Sequence, residues 1–192
     1  MSLVVSVYTR DLSDDLMPRI VNRLNNFDMS VEGYPNFSFQ EHQGFLPFKF
    51  RLTATHLNNL KGEVLKSGFE LYVDSFNLQV EKEKLVSKTT FFQRLFGRKR
   101  PEVAFANPEI EGVLKDCRYV LSCSFSTEDS FEYRFACLTG AILAELTRGV
   151  YQSPDGIWYI GKNITNEIHV EVKAYEQPLT EETVQYHKFD HW

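Results

Sequence analysis

CRYVLSCSFSTEDSFEYRFACLTGAILAELTRGVYQSPDGIWYI, residues 117–160, is the stretch on which the fold turns. Tyr119, Leu121, Cys123 and Phe125 recur at every second position, the period of a strand with one buried face. Ser126, Thr127, Glu128 and Asp129 follow, and such side chains satisfy the free amides of a helix start. A helix is predicted over 130–148. From Ala136 to Leu146 it is apolar nearly all round, with Thr139 and Glu145 the exceptions, so it is expected to be buried on more than one side. Ala136, Gly140 and Ala144 lie at i, i+4 and i+8, a small-residue stripe that permits close packing. Gly149 is expected to cap the C-terminus. Val150-Tyr151 and Ile157 to Ile160 flank Ser153-Pro154-Asp155-Gly156, a turn composition, so a hairpin should follow.

The N-terminal half repeats this order. Residues 3–9 (LVVSVYT) are β-branched and aromatic and read as a strand. Leu16, Ile20, Leu24 and Phe27 then recur at helical spacing, behind Asp14 and Asp15. A short strand is expected at 37–41. Phe48, Phe50 and Leu52 alternate with polar residues, as do Phe69, Leu71 and Val73 with Glu70, Tyr72 and Asp74. Leu57, Leu60 and Val64 between them suggest a short helix ended by Ser67-Gly68. Residues 77–116 are charged, contain Pro101 and Pro108, and read as a linker with one or two helical turns. Ile164, Ile168, Val172 and Tyr175 fit a helix, while Ile168, Val170 and Val172 equally fit a strand; the reading taken is a helix ending before Pro178. The expected fold is α+β, helices packed on a mostly antiparallel sheet, with a βαββ pseudo-duplication. It is expected to form one domain over 1–176, with lobes at about 1–76 and 117–176 and a polar tail at 177–192.

Formal charge is −5. Residues 81–100 hold seven Lys or Arg against two Glu, so that segment is +5 and the rest of the chain −10. An acidic body argues against general nucleic-acid binding, which rests on phosphate neutralisation. Cys117, Cys123 and Cys137 are odd in number and form no CxxC, the usage expected of buried thiols in a reducing compartment. The N-terminus has no basic segment ahead of a long apolar run, and no stretch approaches 18 apolar residues. A cytoplasmic location is the expectation.

No GxSxG, P-loop, GxGxxG or HExxH occurs, and no catalytic residue, cofactor or metal site is assigned. His187 and His191 are spaced i, i+4, which on a helix would put two imidazoles on one face, but no third ligand accompanies them. The thiols read as core residues. The basic segment carries Arg94, Arg98, Lys99 and Arg100 around Phe91, Phe92, Leu95 and Phe96, a candidate for anionic surfaces whose plainer reading is a solvated linker. Tyr151, Trp158, Tyr159 and Tyr175 are the candidate partner-binding residues, since aromatics with one polar end are enriched at interface hot spots.

GFLPFKFRL (44–52), SGFELYV (67–73) and CLTGAILAELTRGVYQSPDGIWY (137–159) resemble pieces of small α+β immunity proteins from bacterial toxin–immunity loci. The resemblance covers about half the chain, and its motifs are structural. It implies a cytoplasmic, non-enzymatic protein that binds and blocks a toxin; an acidic body would suit a basic one. The alternative is an enzyme or small-ligand-binding protein with its site between sheet and linker.

Overall fold

A computed structural model describes residues 2–93, 104–126 and 128–192. The expected α+β fold is present. Among the described residues, eight strands form one antiparallel sheet: β1 (Leu3–Thr9), β2 (Met29–Gly33), β3 (Gly44–Leu52), β4 (Leu65–Ser75), β5 (Tyr119–Phe125), β6 (Val150–Gln152), β7 (Trp158–Tyr159) and β8 (His187–Lys188). Their order is β2-β3-β4-β5-β1-β6-β7, with β8 added to β4. The helices are α1 (Leu16–Leu24), α2 (Leu78–Gln93), α3 (Pro108–Leu114), α4 (Glu132–Thr147) and α5 (Ile164–Glu176).

α4 lies across the sheet between α1 and α5, and its buried run extends unbroken from Arg134 to Ala144. Gly140 makes the approach to β1 and β6 possible: a Cβ there would lie 2.9 Å from Val5 and 3.2 Å from Val7 and Tyr151. Phe135 stacks on Phe48 at 4.8 Å and meets Phe50 edge-on at 5.0 Å, so aromatic pairs join the helix to β3. A second, smaller core lies on the other sheet face. There Tyr8, Phe76, Ile110, Leu114, Cys117 and Val150 pack together under α3.

The differences from the sequence reading have local causes. Residues 37–41 form no strand; β2 lies earlier, at the sheet edge. The helix expected around Leu57 is one 3-10 turn, Asn58–Leu60. Ser67-Gly68 ends no helix but lies inside β4, where a Cβ on Gly68 would overlap the Leu46 carbonyl. The described residues of the 77–116 segment include two helices, and α2 alone spans 16 residues. α4 starts at Glu132, later than expected, because Asp129 accepts from the Phe131 amide (2.7 Å) and Glu132 reaches back to the Ser126 amide (2.6 Å). Arg148, not Gly149, takes the left-handed cap (φ 53°). Gly149 is needed because a side chain there would strike the Tyr8 carbonyl.

The tail is docked: Ser130 and Gln185 exchange hydrogen bonds of 2.9 Å, Val184 is buried, and β8 extends the sheet. The strand–helix–strand–strand order does occur twice, but the units are not placed alike. In the second unit β1 alone separates β5 from β6, whereas in the first β5, β4 and β3 separate β1 from β2.

Candidate functional site

The four candidate aromatics do not form one patch. Tyr151 is fully buried, its ring 5.7 Å from Tyr159, and burial pushes its phenol far above the ordinary range. It is a core residue, not a surface one. Trp158 and Tyr159 are neighbours on a strand, so they point to opposite sheet faces. Trp158 packs on Tyr8 at 5.5 Å. On the helix side, the Tyr159 hydroxyl reaches Glu171 (3.2 Å), and Tyr175 lies against Tyr133 at 4.6 Å. Arg94, Arg98, Lys99 and Arg100 lie outside the described residues. His187 is in a strand, so the helical geometry that would bring it beside His191 is absent. Burial raises all three thiols, Cys117 to about 11 and Cys137 to about 12, which leaves no reactive thiolate near neutral pH. Cys117 belongs to the second core and does not share the β5 face with Cys123.

A cavity of about 440 Å³ lies beside α4 and α5 and is lined by Asp28, His56, Arg134, Lys173 and Glu176 over an apolar floor of Leu52, Leu57 and Phe131. Arg134 is almost fully buried. It donates to both carboxylate oxygens of Glu176 (2.7 and 2.5 Å) and to the Phe27 carbonyl (2.7 Å). Lys173 lies 2.8 Å from Asp28 and, by that hydrogen bond, holds its carboxyl below the usual range. His169 is 3.5 Å from the same oxygen, and desolvation lowers it, favouring the neutral ring. Two cations and two carboxylates satisfy one another. That arrangement ties α5 to α4 and the α1–β2 turn, and it leaves no unspent charge for a ligand.

The outer sheet face differs. Among the described residues, α3 and the Phe76 and Phe105 rings cover it at the Tyr8 end. Beyond them, the register places Phe45, Glu70, Ser124 and Val4 in one row, and Tyr72, Ser122, Ser6 and Gln152 in the next. Phe45, Val4 and Tyr72 are 42, 42 and 44 % exposed. Lys49 and Lys66 are neutralised by Glu32 and Asp190, both at 2.9 Å, and Arg51 stands apart opposite Ser30. Glu70 and Asp74 have no ion-pair partner among the described residues. Next to Asp74 a cleft of about 370 Å³ opens between the sheet and α2, lined by Tyr8, Phe76, Glu81 and Phe105. Burial, then Glu81, pushes Tyr8 up to about 12, so it stays a neutral phenol. Lys82 (2.5 Å from Glu111) and the Phe105 amide (2.7 Å) fasten α2 and the loop to α3. The sequence signal for this face was Tyr72, an aromatic on the polar side of an alternating strand.

No protein family, characterised protein or solved structure matches this chain. No helix among the described residues is long and apolar enough to cross a membrane.

Proposed function

We propose that this protein is a non-enzymatic binding module that docks a basic protein on the open sheet face. The specific form proposed is an immunity-type inhibitor of a bacterial toxin, acting in the cytoplasm. One observation supports the reading above others: Phe45, Tyr72 and Val4 stand exposed around Glu70 and Asp74, whose charges nothing described neutralises. Tyrosine in such a setting supplies large contact area with a polar end. Glu70, which accepts from the Tyr72 hydroxyl at 3.3 Å, and Asp74 have no cation beside them among the described residues, and such carboxylates favour a cationic partner and speed encounter. The resemblance of 44–52, 67–73 and 137–159 to immunity proteins points the same way, and two of those segments are the β3 and β4 strands that carry the face.

The test is co-purification of the full chain from its native cells, in parallel with a Glu70→Lys/Tyr72→Ala variant. A stoichiometric basic protein held by the natural chain and lost by the variant is the expected result. No stoichiometric protein at low and moderate salt, or equal capture by the variant, overturns the reading. A second reading, a ligand-binding or enzymatic site, is supported by the cleft at Tyr8, Asp74 and Glu81, which lies between the sheet and the 77–116 segment. It predicts a small molecule, not a protein, in the eluate, lost on Phe105→Ala.

A further inference from the structure

A different cavity carries an independent inference. It has a volume of about 460 Å³ and lies where the α4–β6 turn, the β7–α5 turn, α1 and α3 converge. Its walls are Arg23, Glu145, Arg148, Gly149, Lys162 and the apolar Val113 and Ile160. The volume is within the range of small-molecule sites, roughly 300–1,000 Å³.

The charges do not cancel here. Glu145 is nearly buried and is already spent: it accepts from Arg23 and, at 2.8 Å, from the Thr165 amide at the start of α5. Arg23 in turn uses only Nη2, on Glu145 and on the Thr165 hydroxyl (3.2 Å). Its Nη1 and Nε have no partner among the described residues, and the guanidinium is held in place by the bonds it has made. Arg148 and Lys162 have no ion-pair partner among the described residues either. Three cations therefore face one carboxylate, in a chain whose formal charge is −5.

The chain conformation places the two outer cations. Arg148 has φ 53°, a left-handed conformation that a side-chain-bearing residue adopts reluctantly. It is the C-cap of α4, where the Arg148 amide donates to the Glu145 carbonyl and the Gly149 amide to the Ala144 carbonyl. Gly161, at φ 110°, turns the chain so that Lys162 follows β7 at the mouth of the same cavity. A guanidinium offers paired donors that match a carboxylate or phosphate, and Val113 and Ile160 supply an apolar wall beside them.

We infer that this cavity binds a small organic anion, a carboxylate or phosphate ester carrying a short apolar group, through Arg23, Arg148 and Lys162. Neither the acidic docking face nor its residues enter the argument, so either proposal can fail alone.

The experiment is titration of the ¹⁵N-labelled full chain with benzoate and with phenyl phosphate, with inorganic phosphate and benzylamine as comparisons. The glycine amides of Gly149 and Gly161 report the site. Saturable shifts of these signals with an affinity near about 1 mM are expected, with at least about tenfold weakening in Arg148→Gln/Lys162→Gln. Both side chains are exposed at their ends of the cavity, so the double variant should fold. Arg148→Gly removes the charge while relieving the backbone, so weaker binding at unchanged or higher Tm separates the site from a folding defect. The inference is overturned if neither organic probe gives saturable shifts by about 10 mM. It is also overturned if benzylamine moves the same amides, if inorganic phosphate binds as well as phenyl phosphate, or if the variants bind like the natural chain.

Discussion

Arg134 and Glu176 are separated by 42 residues in sequence, yet each satisfies the other almost completely out of water. Removing one partner strands the second. Arg134→Ala leaves the Glu176 carboxylate and the Phe27 carbonyl without their donor, and should lower stability by about 3–5 kcal/mol in urea unfolding. Arg134→Met with Glu176→Leu removes both charges and should recover most of that loss; a double variant as unstable as the single one would refute the account. Asp129 is a second residue whose environment sets its behaviour. Its carboxyl is 4 % exposed, and burial pushes it up to about 6, with Glu132 adding to the rise and the Phe131 amide and His187 opposing it. A carboxyl with a raised folded pKa stabilises most when protonated in both states, below about pH 4. That contribution is lost as pH rises from about 4 to about 6, and the difference is worth about 3 kcal/mol. Asp129→Asn should therefore flatten this fall, read as the difference between the two unfolding curves across that range. An unchanged pH profile would show that Asp129 titrates normally.

α4 shows the same dependence at the level of an element. Gly140 is a poor helix former, and alanine at an open helix position would stabilise by about 1 kcal/mol. Here the added carbon meets Val5, Val7 and Tyr151, all fully buried, so overpacking decides the sign. Gly140→Ala should be destabilising by about 1–2 kcal/mol and Gly140→Val by more, measured as the shift in urea midpoint. A stabilised Gly140→Ala would mean that the helix can move off the sheet. Much of this element was legible beforehand, because an all-apolar helix with a small-residue stripe has few other uses. So were β1, β3, β5 and the β6–β7 hairpin, each announced by its own period or turn residues, whereas the spacing at 164–175 fitted helix and strand alike and the packing of α5 on α4 decides for the helix. β2 was not: MSVEG is short and lies at an edge, where Asn25 rather than another strand receives the Val31 amide at 2.8 Å. Nor was the true place of Ser67-Gly68, since a glycine that makes room for a neighbouring strand looks in sequence like one that ends a helix.

At the scale of the molecule, the described residues bury one face of the sheet continuously and the other only in part. α3 has seven residues and reaches no further than the Tyr8 end, so the rows containing Glu70 and Tyr72 stay in water. If that face docks a basic partner, raising salt from about 0.05 to about 0.5 M should slow association several-fold with a smaller effect on dissociation, and Glu70→Lys should abolish most of the salt dependence. Salt-independent association would remove charge from the account. Local pattern alone determined the α+β class, the main strands and helices, the aromatic core and the acidic body, because side-chain periodicity records which face of an element meets water. Everything that depends on which elements meet was decided by tertiary structure. Tyr151 and Trp158 read alike in sequence and were separated by sheet-face parity and the packing of α4. Arg23 and Glu145, 122 residues apart, acquired their pairing only when α1 and the end of α4 were brought together. Pairing over such distances leaves no trace in spacing, since the chain between can close in many ways and only the packed core selects one.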